Sequence, residues 1–157
     1  EIPYVRRKIG CVYQDSSLLY DKTVYDVAVT VTESDASGDF VYINPFLVKF
    51  HSADTFQSLQ REFPIDFPFT YSLTYIFTFT VPEGYAVDQI PENRIFKFQP
   101  LASTARCSCT VNGNTVQMVY NFSQNKMMCG PEYYQDIRSY WKLLADIYDV
   151  VLVLKKL

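Results

Sequence analysis

From Thr23 the chain alternates apolar and smaller or polar side chains. Tyr25, Val27, Val29 and Val31 fall on one side, and Asp26, Ala28, Thr30 and Thr32 on the other. A period of two over this length predicts an antiparallel strand with one face in a core. Glu33 to Gly38 reads as a turn or loop, and Asp39 to Ile43 resumes a short strand that stops before Pro45. Pro64 and Pro68 each remove a ladder donor, so Arg61 to Phe69 is at best an edge or crossover segment. The clearest alternation follows. Tyr71, Leu73, Tyr75, Phe77, Phe79 and Val81 make a wall of large side chains, backed by Ser72, Thr74, Ile76, Thr78 and Thr80, a largely hydroxyl face. Pro82-Glu83-Gly84 closes that strand with a turn.

Arg94 to Gln99 predicts another short strand, ended by Pro100. Next comes a hairpin in which Ala105, Cys107, Cys109 and Val111 share one face, as do Val116, Met118, Tyr120 and Phe122. A two-residue turn at Asn112-Gly113 pairs Val111 with Asn114, Cys109 with Val116 and Cys107 with Met118, matching the apolar faces. A three-residue loop mismatches both faces. Gly130-Pro131 opens a helix whose stripe is Tyr133, Ile137, Tyr140, Trp141, Leu144 and Tyr148. Val150 to Leu154 is short and β-branched enough for a buried closing strand. Residues 1–22 are ambiguous: Ile2, Tyr4, Val5 and Ile9 surround Arg6-Arg7-Lys8, and Gly10 breaks the segment. A short helix, an edge strand and the end of a preceding domain all fit. The pattern therefore predicts a mostly β protein, an antiparallel β-sandwich of about six to eight strands with one late amphipathic helix. Residues 1–22 form an uncertain N-terminal segment or a remnant of a preceding domain, and 23–157 a single β-sandwich domain.

Composition narrows the function. The 157 residues are 48% hydrophobic, which suits one globular domain. Seventeen acidic against fourteen basic residues give a net charge of −3, and a nucleic-acid binder needs a basic excess. No apolar stretch approaches the length of a membrane span, so no membrane insertion is expected. The sequence begins at Glu1 with no basic-then-apolar leader, as expected of a processed or excised piece.

Candidate chemistry is sparse, and no catalytic residue, metal ligand or cofactor is assigned. His51 is the single histidine and reads as a loop residue. Cys107-x-Cys109 lacks the spacing of a zinc knuckle and has no matching second pair. Both thiols point inward on the hairpin register and read as small buried hydrophobes; alternate residues on one strand are too far apart for a comfortable disulfide. Cys11 and Cys129 are the plausibly exposed thiols, and neither has a setting that lowers its pKa. Asp54, Glu62, Asp66, Glu83 and Asp88 could supply a carboxylate pair, but seventeen acids in one domain make some proximity inevitable. Asp66, among Phe63, Pro64, Ile65, Phe67 and Pro68, reads as an acceptor for backbone N–H groups or for Arg61. A glycan-binding face needs exposed aromatics, for which Tyr13, Tyr20, Tyr42 and Tyr85 are candidates without a pattern that groups them, Tyr42 and Tyr85 being the most plausible ligand-facing pair. No phosphate loop, dinucleotide fingerprint or EF-hand loop is present.

Two segments carry more than composition. Arg61-Glu62-Phe63-Pro64-Ile65-Asp66-Phe67 resembles the R-x-[FY]-P-[VI]-D-F signature of a family of uncharacterised bacterial domains that follow a transglutaminase-like core in exported multi-domain proteins. Val81-Pro82-Glu83-Gly84-Tyr85-Ala86-Val87-Asp88-Gln89-Ile90-Pro91 is similar to that family's second motif, iPEGYxVeelP. The order of a Pro131-Glu132-Tyr133 helix start and a terminal strand ending in Leu154-Lys155-Lys156 also fits, so the likeness runs over residues 39–157. One departure is Asp54-Thr55-Phe56, where the family usually has Asn-Pro-Phe. The resemblance implies a β-sandwich accessory domain, periplasmic or at the surface of a Gram-negative bacterium. Its partner is the neighbouring domain of the parent chain, and it has no activity of its own. The motif positions Arg61, Phe63, Pro64, Asp66, Phe67, Pro82, Glu83, Gly84, Tyr85 and Pro91 are then structural, with Gly84 at a positive-φ turn position and Arg61 closing the crossover on Asp66. Such a module is expected to expose an apolar patch near residues 1–22. A carbohydrate-binding module is the alternative. A hydrolase using His51 or Asp66 is the third reading.

Overall fold

The computed structural model describes residues 8–10, 26–28 and 39–157. They divide into two units, Glu1–Val41 and Tyr42–Leu157. The first holds β1 (Lys8–Gly10) and β2 (Asp26–Ala28), antiparallel with Ile9 opposite Val27. The strand expected from Thr23 to Thr32 is thus described only at its centre. The Glu33–Gly38 loop, Cys11, Tyr13, Tyr20 and the remainder of the expected 1–22 segment lie outside the described residues.

The second unit begins within β3 (Phe40–Ile43) and is mostly antiparallel β with one late helix. Its main sheet has the order β5-β9-β8-β7, built from β5 (Tyr71–Thr80), β7 (Arg94–Phe98), β8 (Ser103–Asn112) and β9 (Thr115–Gln124). A second sheet sets the last strand, β11 (Leu152–Lys156), between β3 and β6 (Tyr85–Gln89). The crossover segment contributes only β4 (Ile65–Asp66), paired with β10 (Met128–Cys129), as two prolines dictate. Alternation on β5 is as expected: the odd positions are half-buried and the even ones exposed.

The hairpin has a two-residue turn, displaced by one residue from the expected place. Asn112 pairs with Thr115, Val111 with Val116, Cys109 with Met118 and Cys107 with Tyr120. The turn is therefore Gly113-Asn114, not Asn112-Gly113. Gly113 has φ +61° while Asn114 keeps a negative φ, which is the type II′ arrangement with glycine first. Because the pairing moves by two residues, the same side chains still face the core, and hydrophobic matching alone does not separate the two registers.

The helix α1 (Tyr134–Asp146) follows a 3-10 turn at Pro131–Tyr133 and runs into another at Ile147–Asp149. That tighter first turn shifts the phase of the stripe by one: Tyr134, not Tyr133, is buried with Ile137, Tyr140, Trp141, Leu144, Ile147 and Tyr148. The helix is pinned to the main sheet by the Tyr140 and Ser103 hydroxyls, 2.8 Å apart, and by Tyr140 stacking on Phe98. Cys107 and Cys109 are buried free thiols, as expected. Cys129, expected to be exposed, is buried where β10 meets β4. No described helix is long and apolar enough to cross a membrane.

Candidate functional site

The irregular stretch from Asn44 to Leu59 is tied down by main-chain bonds, because it has no strand partner to satisfy its polar groups. The Asn44 side chain donates to the Tyr148 carbonyl at 2.8 Å and accepts from the Phe46 N–H at 2.8 Å. The Tyr75 hydroxyl donates to the Pro45 carbonyl at 2.7 Å. Further along, Arg138 donates to the Phe56 carbonyl at 3.1 Å, and Gln135 to that of Leu59. Ser52 caps a 3-10 turn over Ala53–Thr55, accepting from the Asp54 N–H at 3.2 Å.

These anchors drive His51 inward, where it is only 5% exposed. Its ring lies between the main sheet and the helix, 4.5 Å from the Phe122 ring and edge-on to Trp141. Nδ1 lies 2.5 Å from the Tyr148 hydroxyl and Nε2 lies 3.1 Å from that of Tyr71. The Tyr148 and Tyr120 hydroxyls are 3.4 Å apart, so a chain of four polar groups runs from the half-buried Tyr71 to the fully buried Tyr120. Either imidazole tautomer satisfies both ring nitrogens. Burial lowers the His51 pKa to about 4, because the cation has no anion beside it to offset lost hydration. It also pushes Tyr148 and Tyr71 up to about 12, and Tyr120 strongly upward. The network is neutral across the physiological range.

A cleft of about 600 Å³ opens beside this chain, lined among others by His51, Asp54, Tyr71, Trp141 and Asp149. At its rim Lys49 and Asp149 form an ion pair of 2.6 Å, both well exposed, where such pairs contribute little stability. The His51 network is a structural wedge with a polar interior. The sequence reading of a loop histidine misses its burial, and the apolar run before it gives no signal: Phe46 is buried, but Leu47, Val48 and Phe50 are exposed.

The motif residues separate into two turns. Arg61 donates from Nε to the Phe63 carbonyl at 3.0 Å instead of closing on Asp66, which is exposed. The reason is reach: a carbonyl two residues away is already positioned, while Asp66 is drawn into the β4–β10 pairing opposite Met128. Pro64 is exposed, Ile65 is buried, and Phe67 stacks on Trp141 at 5.7 Å. In the second motif, the Tyr85 N–H donates to the Pro82 carbonyl at 3.2 Å across Glu83 and Gly84. Gly84 has φ +82°, the positive value expected there and required at the third position of a type II turn. Pro91 is buried at the far end of β6. Tyr42 is exposed on β3 and Tyr85 half-buried on β6, with β11 between their strands. Among the described residues no group of His, Cys, Asp and Glu is placed to hold a metal ion.

Comparisons with known proteins bear on the fold. In a crystal structure of a putative protease from Parabacteroides distasonis ATCC 8503, a region superposes on 78% of this chain with a TM-score of 0.61 and 19% identity. The chain spans only 24% of that protein, so the likeness is one of fold. A stretch of 40 residues is 52% identical to the cell division ATP-binding protein FtsE of Escherichia coli (strain K12), with the same figures for that of Shigella flexneri. It amounts to 25% of this chain and 18% of FtsE. Residues 39–154, most of the chain, match the family described as a domain of unknown function with a solved structure, DUF3858, and the chain belongs to that family.

Proposed function

We propose that the second unit is a non-catalytic accessory domain that docks on a neighbouring domain of a larger exported protein, next to a transglutaminase-like core in the periplasm or at the surface of a Gram-negative bacterium. The carrying observation is the β4–β10 ribbon with its flanking loops. Leu59, Phe63, Phe69 and Met128 are each at least 60% exposed there, with Met127 and Tyr133 also open. Several large apolar side chains left open on a short ribbon and the loops that flank it are what an interaction face presents, whereas singly scattered ones need no explanation. The surface of the 1–22 segment, where a patch is expected, lies outside the described residues.

Two further observations support the reading. The described thiols are buried, and burial raises the pKa of each, which removes them as nucleophiles at neutral pH. His51 spends both ring nitrogens on tyrosine hydroxyls and has no carboxylate to orient it as a base. The likeness to FtsE adds no nucleotide site to the proposal, since the sequence lacks the G-x-x-x-x-G-K-[ST] phosphate cradle.

Hydrogen exchange on this chain and on the native host's full protein tests the docking. Amides of residues 59–69 and 126–129 are expected to exchange at least about tenfold more slowly in the larger protein, a difference of roughly 1.4 kcal/mol in opening free energy. Phe63→Asp together with Met128→Lys is expected to abolish that difference while leaving this chain folded. Equal exchange in both contexts overturns the reading.

A further inference from the structure

The main sheet has two very different edges. On one side β7 is five residues long and carries Arg94 and Lys97, the charges that ordinarily block edge pairing. On the other, β5 runs ten residues, Tyr-Ser-Leu-Thr-Tyr-Ile-Phe-Thr-Phe-Thr, with no charge, no proline and no glycine. Its register with β9 continues without a bulge from Tyr71 opposite Gln124 to Thr80 opposite Thr115. Among the described residues no strand pairs with its outer edge.

The turn geometry fixes which backbone groups that edge offers. A two-residue hairpin makes Asn112 and Thr115 a hydrogen-bonded pair, so odd-numbered residues of β9 bond to β8 and even-numbered ones to β5. Through the β5–β9 register, the odd residues of β5 therefore bond inward. The Val81 N–H, which donates to the Asn114 carbonyl at 2.7 Å, continues that alternation. Ser72, Thr74, Ile76, Thr78 and Thr80 then direct both N–H and C=O outward.

Those five residues are chemically palindromic about Ile76. Ser72 mirrors Thr80, Thr74 mirrors Thr78, and the centre is a large apolar side chain on a face otherwise made of hydroxyls. Ile76 is 58% exposed, next to the half-buried Val119 opposite it on β9.

We propose that β5 is a homodimerisation edge: two copies of this chain join β5 to β5 antiparallel about a two-fold axis at Ile76. Ile76 then pairs with its own copy, Thr74 with Thr78 and Ser72 with Thr80, each pair exchanging two N–H···O bonds. The two four-stranded sheets become one continuous sheet. Val119, Ile76 and their symmetry copies line up across its centre, which removes the exposed isoleucine from water. A second copy suits the edge better than an unrelated strand because the outward positions complement themselves. Hydroxyl meets hydroxyl, isoleucine meets isoleucine, and no charge is brought against its like.

Sedimentation equilibrium on the 157-residue chain over a wide concentration range tests the proposal. The expected result is a monomer–dimer equilibrium reaching twice the 18.2 kDa of one chain. Ile76→Lys, which puts two like charges on the axis, is expected to weaken it at least about tenfold. Thr78→Pro removes only an outward N–H, so it is expected to weaken the dimer while far-UV circular dichroism stays unchanged; should it fail to fold, Ile76→Lys still decides. Ile95→Lys, on the opposite edge, is expected to leave the equilibrium alone. A monomer at every concentration, a dimer indifferent to Ile76→Lys, or a dimer lost with Ile95→Lys each overturns the proposal.

Discussion

Acid is expected to unfold this protein through His51, and the size of the effect follows from the structure. The ring is 5% exposed, and its pKa falls from 6.5 to about 4 because the charged form has no partner in its site. The unfolded chain holds its histidine at the ordinary value, so between these two pKa values the unfolded state binds the extra proton. Stability is therefore intact above pH 6.5 and declines as pH falls, with the loss levelling off below the folded pKa. At 1.36 kcal/mol per unit the loss is about 2 kcal/mol at pH 5 and about 3 kcal/mol at pH 4. Carboxylates titrate in the same range, so the comparison is made against His51→Gln, which keeps polar contacts to Tyr148 and Tyr71 without the basic ring. Urea unfolding at intervals between pH 7.5 and 4 is expected to show the wild type losing about 3 kcal/mol more than the variant. The chain has one histidine, so the imidazole resonances report its titration without assignment. Parallel stability curves, or a folded-state midpoint near 6.5, refute the reasoning.

Two further outcomes follow from features of the fold. Gly113→Val forces a β-branched residue into a positive-φ position with otherwise open space around it, so backbone strain alone is expected to cost about 1–3 kcal/mol, read as a lower thermal midpoint. An unchanged midpoint contradicts the turn assignment. Cys107, Cys109 and Cys129 are expected to resist iodoacetamide at pH 8 and to react promptly in denaturant, with peptide mapping to place the label. Fast labelling of the native protein at Cys109 refutes the inward register of β8.

The strands were legible because period-two patterns leave little freedom. The alternation of β5 locates a core face residue by residue, and Pro82 and Gly84 mark where it ends. The hairpin register was half legible. Two-residue shifts preserve which face is apolar, and only the backbone at Gly113 distinguishes them. The helix stripe slipped by one at Tyr133 because sequence spacing assumes α geometry from the first turn, whereas Pro131–Tyr133 winds as a 3-10 turn. His51 was illegible for another reason. Its burial depends on the irregular segment being captured by the Tyr148 carbonyl, Arg138 and Gln135, all far along the chain, and no local pattern encodes that capture. For Arg61, charge points to Asp66 in the sequence, while proximity gives its Nε the Phe63 carbonyl.

The position of β11 bears on how the chain folds as it is made. The last strand in sequence is the middle strand of its sheet, between β3 and β6. The β5–β9–β8–β7 sheet closes through neighbouring segments and has all its pieces by Gln124, so it can assemble while the ribosome is still at work. β3 and β6 have no such option, since each must wait for Leu152–Lys156 to emerge. At roughly 5–20 residues per second, the β3 edge stays open for several seconds during every round of synthesis. A stop just before Leu152 therefore does more than shorten the chain: it removes the keystone of the sheet and leaves β3 and β6 with unpaired edges beside a finished four-stranded sheet.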